Sequence, residues 1–142
     1  MENASFFRDV FLSGGIEVMA TLRLDETLQV FGSGQEQKGP VSYNDRWVVD
    51  NLILDFVGDP LTYPKIYLYR NFVEPRNLIM KSENNDNLNK TVNVGFRLES
   101  GENLVCHVVS DDPGGLVSVH IMGTRYVAMA GYNEQTTLFQ GF

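Results

Sequence analysis

The feature that most constrains this chain is a period of two in its apolar residues, interrupted at short intervals by turn-forming residues. Ile16, Val18, Ala20, Leu22 and Leu24 share one face of a segment whose other face carries Glu17, Thr21 and Arg23, with Met19 between. Val92, Val94, Phe96 and Leu98 repeat the pattern. Successive side chains of an extended backbone point to opposite sides, so such a segment makes a strand with one buried face. Further strands are expected over 27–31, 46–57, 65–73, 76–81, 103–109 and 116–122, with a short ninth over 126–130. The separators are Gly32-Ser33-Gly34, Gly39-Pro40, Gly58-Asp59-Pro60, 82–90, Ser100-Gly101 and 111–115. All are rich in residues that favour turns. Pro75 marks a strand start or an edge. The run Asn84-Asn85-Asp86-Asn87-Leu88-Asn89 reads as a mobile loop tip. A helical spacing occurs only at Phe6, Phe7, Val10 and Phe11, and Gly14-Gly15 stops it.

Eight or nine short strands with regular turns predict an all-β fold: an antiparallel β-sandwich or jelly roll of about eight strands with a short N-terminal extension. The expected organisation is an N-terminal arm (1–15), a jelly-roll sandwich (16–130) and a C-terminal tail (131–142). The absence of an internal repeat weighs against propeller and trefoil alternatives.

With 142 residues the chain is long enough for one self-sufficient core. Eleven basic against eighteen acidic residues give a net charge of −7. That balance disfavours nucleic acid and anionic membranes as partners. No stretch approaches the roughly 20 apolar residues of a membrane helix, and the first fifteen residues make a poor signal peptide. The single cysteine, Cys106, rules out an intrachain disulfide and most thiolate metal cages.

The residue types that carry chemistry fall into no productive constellation. Cys106 and His107 are neighbours in one strand, point to opposite faces, and so make no nucleophile–base dyad. Segments 103–109 and 116–122 are expected to pair as a hairpin, which would set His107 beside His120. A metal needs a third ligand, and no HxH or HExxH motif supplies one. Asp50, Asp55 and Asp59 sit in or after one strand, Glu83 and Asp86 in the 82–90 loop, and Asp111 and Asp112 in a turn, all without calcium-loop spacing. No phosphate-binding glycine loop is present. The expectation is therefore no catalytic residue, no metal and no cofactor.

Association is better signalled. Phe6, Phe7, Val10 and Phe11 at one end, and Leu138, Phe139 and Phe142 at the other, are apolar termini that need a cover. They are the expected partner-binding residues. Tyr67 and Tyr69 share the face of their strand opposite Ile66 and Leu68. With Tyr63 and Trp47 they are candidates for a subunit interface or for stacking on sugar rings.

A resemblance adds to this reading. It rests on Arg46-Trp47-Val48-Val49-Asp50-Asn51-Leu52-Ile53-Leu54, on Lys65-Ile66-Tyr67-Leu68-Tyr69, and on the turn Leu98-Glu99-Ser100-Gly101-Glu102-Asn103-Leu104-Val105. The stretch Asp112-Pro113-Gly114-Gly115-Leu116-Val117-Ser118-Val119-His120-Ile121-Met122-Gly123 completes it. Residues 46–125 thus resemble the small jelly-roll structural domains of tailed-phage virions, including head decoration, fibre and collar-type proteins. A Trp-led strand, a Gly-Glu turn and a last hairpin ending in Ile-x-Gly recur there. The resemblance implies a non-catalytic virion protein, a homotrimer that contacts other virion proteins. The alternative is a carbohydrate-binding or lectin-like receptor-binding domain active in host attachment.

Overall fold

The computed structural model describes residues 19–128, with side chains over 20–127. The chain divides into two compact units, Arg23–Arg125 and Met1–Leu22 with Tyr126–Phe142; the sites below lie in the first. Eight strands follow one another: β1 (Met19–Phe31), β2 (Gly34–Lys38), β3 (Arg46–Val57), β4 (Lys65–Arg70), β5 (Leu78–Ser82), β6 (Thr91–Leu98), β7 (Leu104–Val109) and β8 (Leu116–Ala128). A single 3-10 turn, Pro75–Asn77, leads into β5. The strands form two four-stranded antiparallel sheets, ordered β1-β8-β3-β6 and β2-β7-β4-β5.

The alternation builds the core. Leu52 and Leu54 of β3, Val119 and Ile121 of β8, Ile66 and Leu68 of β4, and Leu104, Cys106 and Val108 of β7 join one buried cluster fed by both sheets. Each such side chain contributes about 1.5–3 kcal/mol by leaving water. Trp47 also belongs to this cluster, so it is not a surface stacking residue; its indole Nε1 is buried without a hydrogen-bond partner among the described residues.

Several expectations need correction. Segments 16–24 and 27–31 are not two strands: β1 runs through Asp25-Glu26 without a break. Its buried phase is carried by Leu24, Leu28 and Val30, whereas Leu22, which lies in the other compact unit, is exposed. Of the ninth strand expected at 126–130, residues 126–128 continue β8 and the rest lie outside the described residues. β2 went unread because Gly-Gln-Glu-Gln-Lys has no apolar face. It is an edge strand, and Glu36 stands opposite core-facing Cys106. Glu36 is exposed there, and a charge on an edge strand blunts it against unwanted pairing.

The largest correction concerns the expected 103–109/116–122 hairpin. β7 and β8 belong to different sheets, so residues 110–115 cross from one sheet to the other. His107 and His120 therefore sit on the outer faces of opposite sheets. Alternation correctly put both away from the core, but it carries no information about which sheet a strand joins.

Two glycines have clear backbone reasons. Gly101 adopts φ +88° in the β6–β7 turn, a conformation L side chains avoid. Gly123 stands where β3 and β6 slip register between Val49 and Asn51. A Cβ there would lie 2.0 Å from the Val48 carbonyl oxygen and 3.0 Å from the Asp50 nitrogen. Glycine thus lets the β3 backbone approach β8 closely in mid-strand, since β8 continues past Gly123 to Ala128.

Candidate functional site

Loops gather at two ends of the strands, and hydrogen bonds stitch each end. At one end the β2–β3, β4–β5 and β6–β7 connections meet. Gly101 N donates to Pro40 O at 3.0 Å, Asn71 N to Asn103 O at 2.8 Å, and Asn103 N to Asn71 Oδ1 at 2.8 Å. Arg70 Nη2 pairs with Glu102 Oε1 at 3.1 Å, and the Glu99 amide donates to the same carboxylate at 2.9 Å. That amide, with Arg70, holds the Glu102 carboxyl below its ordinary range. Nearby, Arg125 forks onto Asp45, with Nε to Oδ1 at 3.2 Å and Nη2 to Oδ2 at 3.0 Å; the Asp45 carboxylate is buried. At the other end Gly32 N donates to Gly115 O, Ser110 N to Ser33 Oγ, and Asp59 N to Asp112 Oδ2. The carboxylates of Asp59 and Asp112 thus serve as turn acceptors.

These ends carry apolar tips. Val41 is 89% exposed, Tyr43 87% and Leu61 85%, and Phe72 and Tyr63 are also exposed. Val41 and Phe72 belong to the two loops that bond to the 99–103 turn. Leu61 and Tyr63 lie in the β3–β4 loop at the opposite end.

The outer face of β2-β7-β4-β5 forms a second feature. Register aligns Gln35, His107, Tyr67 and Lys81 in one row across four strands, and Gln37, Val105, Tyr69 and Leu78 in the next. At normal sheet spacing the rows are about 14 Å long and about 7 Å apart. The Tyr67 hydroxyl donates to Glu83 Oε2 at 2.5 Å, and its ring lies 6.3 Å from the His107 ring, tilted by 34°. The hydrogen bond to Glu83 raises the Tyr67 pKa above its ordinary value. His107 Nδ1 is buried without a partner among the described residues.

At the β4–β5 loop a cleft of about 270 Å³ is lined by Arg70, Asn71, Arg76, Asn77, Leu78 and Ile79; Arg70 Nε also donates to Arg97 O of β6 at 3.0 Å. Asn77 Nδ2 donates to Arg70 O at 2.6 Å, which pins the loop to the end of β4. Arg76 Nε donates to Glu74 Oε1 at 3.0 Å, so each cleft arginine already has a carboxylate.

The structure therefore brings Tyr67 and Tyr69 together and leaves Tyr63 at the other end of β4. Phe6, Phe7, Val10, Phe11, Leu138, Phe139 and Phe142 lie outside the described residues. The sequence does not single out Gln35, Gln37, Arg76 and Asn77; a polar edge strand over 34–38 is the signal that marks the first two.

Elsewhere, Cys106 is sealed in the core and its thiol is pushed up to about 12, so it is no thiolate at neutral pH. His120 Nε2 lies 2.7 Å from Asp55 Oδ2 and its Nδ1 3.3 Å from Thr27 Oγ1, tying β3, β8 and β1 together. The 83–90 loop is not a loose tip. Asn87 N donates to Ser82 Oγ, Lys90 Nζ to Asp86 O, and Asn89 N to Leu54 O. Asn84, Asn85 and Asn89 supply its positive φ angles. Among the described residues no three His, Cys, Asp or Glu side chains converge as a metal-sized group.

Comparison with models of known protein families gave no match, and no curated protein matched the chain.

Proposed function

We propose that this chain is a non-catalytic structural protein of a virion: a jelly roll that assembles as a homotrimer and docks on a capsid, portal or tail surface. The observation that carries the reading is the strand order. Sheets ordered β1-β8-β3-β6 and β2-β7-β4-β5 place side by side the pairs 1–8, 2–7, 3–6 and 4–5. That nesting supports the jelly-roll reading, in which one long antiparallel ribbon of eight strands rolls up into two sheets. The topology gives rigid sheets with loops displayed at two ends, a form suited to presenting contact surfaces.

The exposed tips support the second half of the reading. Val41, Tyr43 and Phe72 are large apolar side chains held in water on loops that hydrogen bonds keep in place. Apolar loop residues displayed this way fit burial against a second copy of the chain. The apolar arm with Phe6, Phe7, Val10 and Phe11 and the tail with Leu138, Phe139 and Phe142 add further contact residues to the same proposal.

Light scattering on the purified chain tests assembly. A trimer of the 16.0 kDa chain has a mass of about 48 kDa. Removing residues 1–15 is expected to weaken it. The exposed double variant Val41→Ser/Tyr43→Ser, which leaves the core intact, is expected to lower trimer stability as well. A full-length monomer at micromolar concentration overturns the assembly claim. Mass spectrometry of purified virions tests the location, and absence of the chain from particles refutes it.

A further inference from the structure

We propose that the loop end formed by the β1–β2 turn, the β3–β4 loop and the 110–115 crossing docks a cationic, apolar surface of a partner protein, one that sets Lys or Arg beside Leu or Phe. This deepens the docking half of the proposed function and rests on it only for the partner being a virion protein. Hydrogen bonds join the three connections. Gly32 N donates to Gly115 O at 2.8 Å, Ser33 Oγ to Ser110 O at 2.9 Å, and Asp59 N to Asp112 Oδ2 at 2.7 Å. Around them β1 ends on Phe31, β3 on Val57 and β7 on Val109, and the β3–β4 loop carries Leu61 and Tyr63. All five side chains are exposed, Leu61 at 85%. Apolar residues scattered singly over a surface need no explanation, but five around one loop cluster mark a contact site.

The loop tip is held in its exposed position. Asp59 Oδ1 accepts from Leu61 N at 2.9 Å, and Asp59 O accepts from Thr62 N at 3.1 Å and from Thr62 Oγ1 at 2.8 Å. Pro60 and Pro64 fix two further φ angles of the same loop. A partner that covers Leu61 therefore orders little on this side of the contact.

Charge selects the occupant. Asp59, Asp111 and Asp112 stand among these apolar groups, and none has an ion-pair partner among the described residues. Asp59 and Asp112 spend oxygens on backbone amides, which leaves their charge in place. Lys65, opposite Val109 at the start of β4, offsets one of the three. The neighbouring β5–β6 segment is balanced, with Lys81 beside Glu83 and Lys90 Nζ donating to Asp86 O. At the opposite end Lys38–Glu26, Arg46–Glu99, Arg70–Glu102, Arg76–Glu74 and Arg125–Asp45 pair one to one. An end without excess charge tolerates an identical copy, the role proposed for Val41, Tyr43 and Phe72. An end with excess carboxylate repels its own copy and complements a basic surface. The three carboxylates form no metal-sized group among the described residues, so the fitting counter-charge is a set of spread cationic side chains.

The test titrates the full chain by calorimetry with three synthetic peptides, alternating Lys and Leu, Lys and Ser, or Glu and Leu. The Lys–Leu peptide is expected to bind saturably, at least about ten-fold tighter than Lys–Ser, and to lose affinity several-fold between about 50 and about 300 mM salt; Glu–Leu should not bind. Leu61→Ser/Tyr63→Ser should weaken Lys–Leu binding at least about ten-fold, and Asp111→Lys at least about three-fold. Asp25→Lys, the same charge change at an exposed site in β1, should stay within about two-fold. Val41→Ser/Tyr43→Ser at the opposite end should leave binding unchanged. All these sites are exposed, and circular dichroism checks that each variant is folded. Binding of no peptide overturns the proposal. So does equal binding of Lys–Ser or Glu–Leu, or equal loss in Asp111→Lys and Asp25→Lys. Without peptide binding, a fall in oligomer mass on Leu61→Ser/Tyr63→Ser assigns this end to a second copy, and loss of binding to phosphatidylcholine vesicles assigns it to lipid; either refutes the proposal. A chain found in particles that binds no cationic peptide fails this proposal and keeps the virion reading. A chain absent from particles that binds through Leu61 and Asp111 does the reverse.

Discussion

Gly123→Ala probes the seam between β8 and β3 with a single carbon. The new Cβ would meet the Val48 carbonyl oxygen at 2.0 Å, where ordinary contact begins near 3.4 Å. The obstacle is backbone on both sides, Val48 O and Asp50 N, so no side-chain rotation relieves it. β3 must move by more than 1 Å, and it carries Trp47, Val49, Leu52 and Leu54 into the core. Overpacking costs about 1–3 kcal/mol, and a clash with central backbone belongs at the top of that range, about 3 kcal/mol. For a domain of this size that lowers Tm by about 10 °C. Gly95→Ala is the matched control. It also lies within a strand, but its Cβ would meet nothing within 4 Å. Losing glycine's backbone freedom there should stabilise the fold by about 0.5 kcal/mol, or about 2 °C. Thermal unfolding by circular dichroism, with urea midpoints as a check, reads both. If Gly123→Ala melts within about 2 °C of wild type, or if both variants lose equally, close approach of β3 is not what glycine serves at this position.

Three further outcomes follow from named contacts. Arg125→Met leaves the buried Asp45 carboxylate without its fork; with the arginine a third exposed, the expected loss is about 1–3 kcal/mol by urea denaturation, partly recovered by adding Asp45→Asn. Glu102 titrates below its ordinary 4.5, so its contribution is present above that pH and lost as pH falls through the folded value. Glu102→Gln should therefore be less stable than wild type at pH 7, with the gap closing below pH 4.5; a gap unchanged down to pH 3 would contradict the assignment. The Cys106 thiol should resist a disulfide reagent at pH 8 in the native chain and react fully in denaturant, since burial lifts it to about 12. Fast native reaction would refute its burial.

Strands with one apolar face were legible because burial alone decides their pattern: 46–57 and 91–98 coincide with β3 and β6. β2 was not, because an edge strand with Gln on one side and Glu36 on the other has no face to sort. The partnering of β7 was not legible either. Its alternation fixes Cys106 inward and His107 outward in any sheet, while strand order depends on contacts far apart in the chain. Of the candidate surface, the shared face of Tyr67 and Tyr69 followed from strand period. The β4–β5 cleft did not, since Arg70 and Arg76 meet only after the β4–β5 loop turns back through Pro75–Asn77.

The nesting of strand pairs also ranks them by the length of loop each must close. The β4–β5 hairpin joins residues close in the chain, whereas β3–β6, β2–β7 and β1–β8 each close a longer loop. Once the innermost pair has zipped, each outer pair inherits a shortened effective loop, so closure proceeds outward at a falling entropic cost. A chain built this way folds on the slow, millisecond-to-second side of small proteins. Its first and final strands are neighbours in one sheet, so that pairing cannot form before synthesis of β8 is complete.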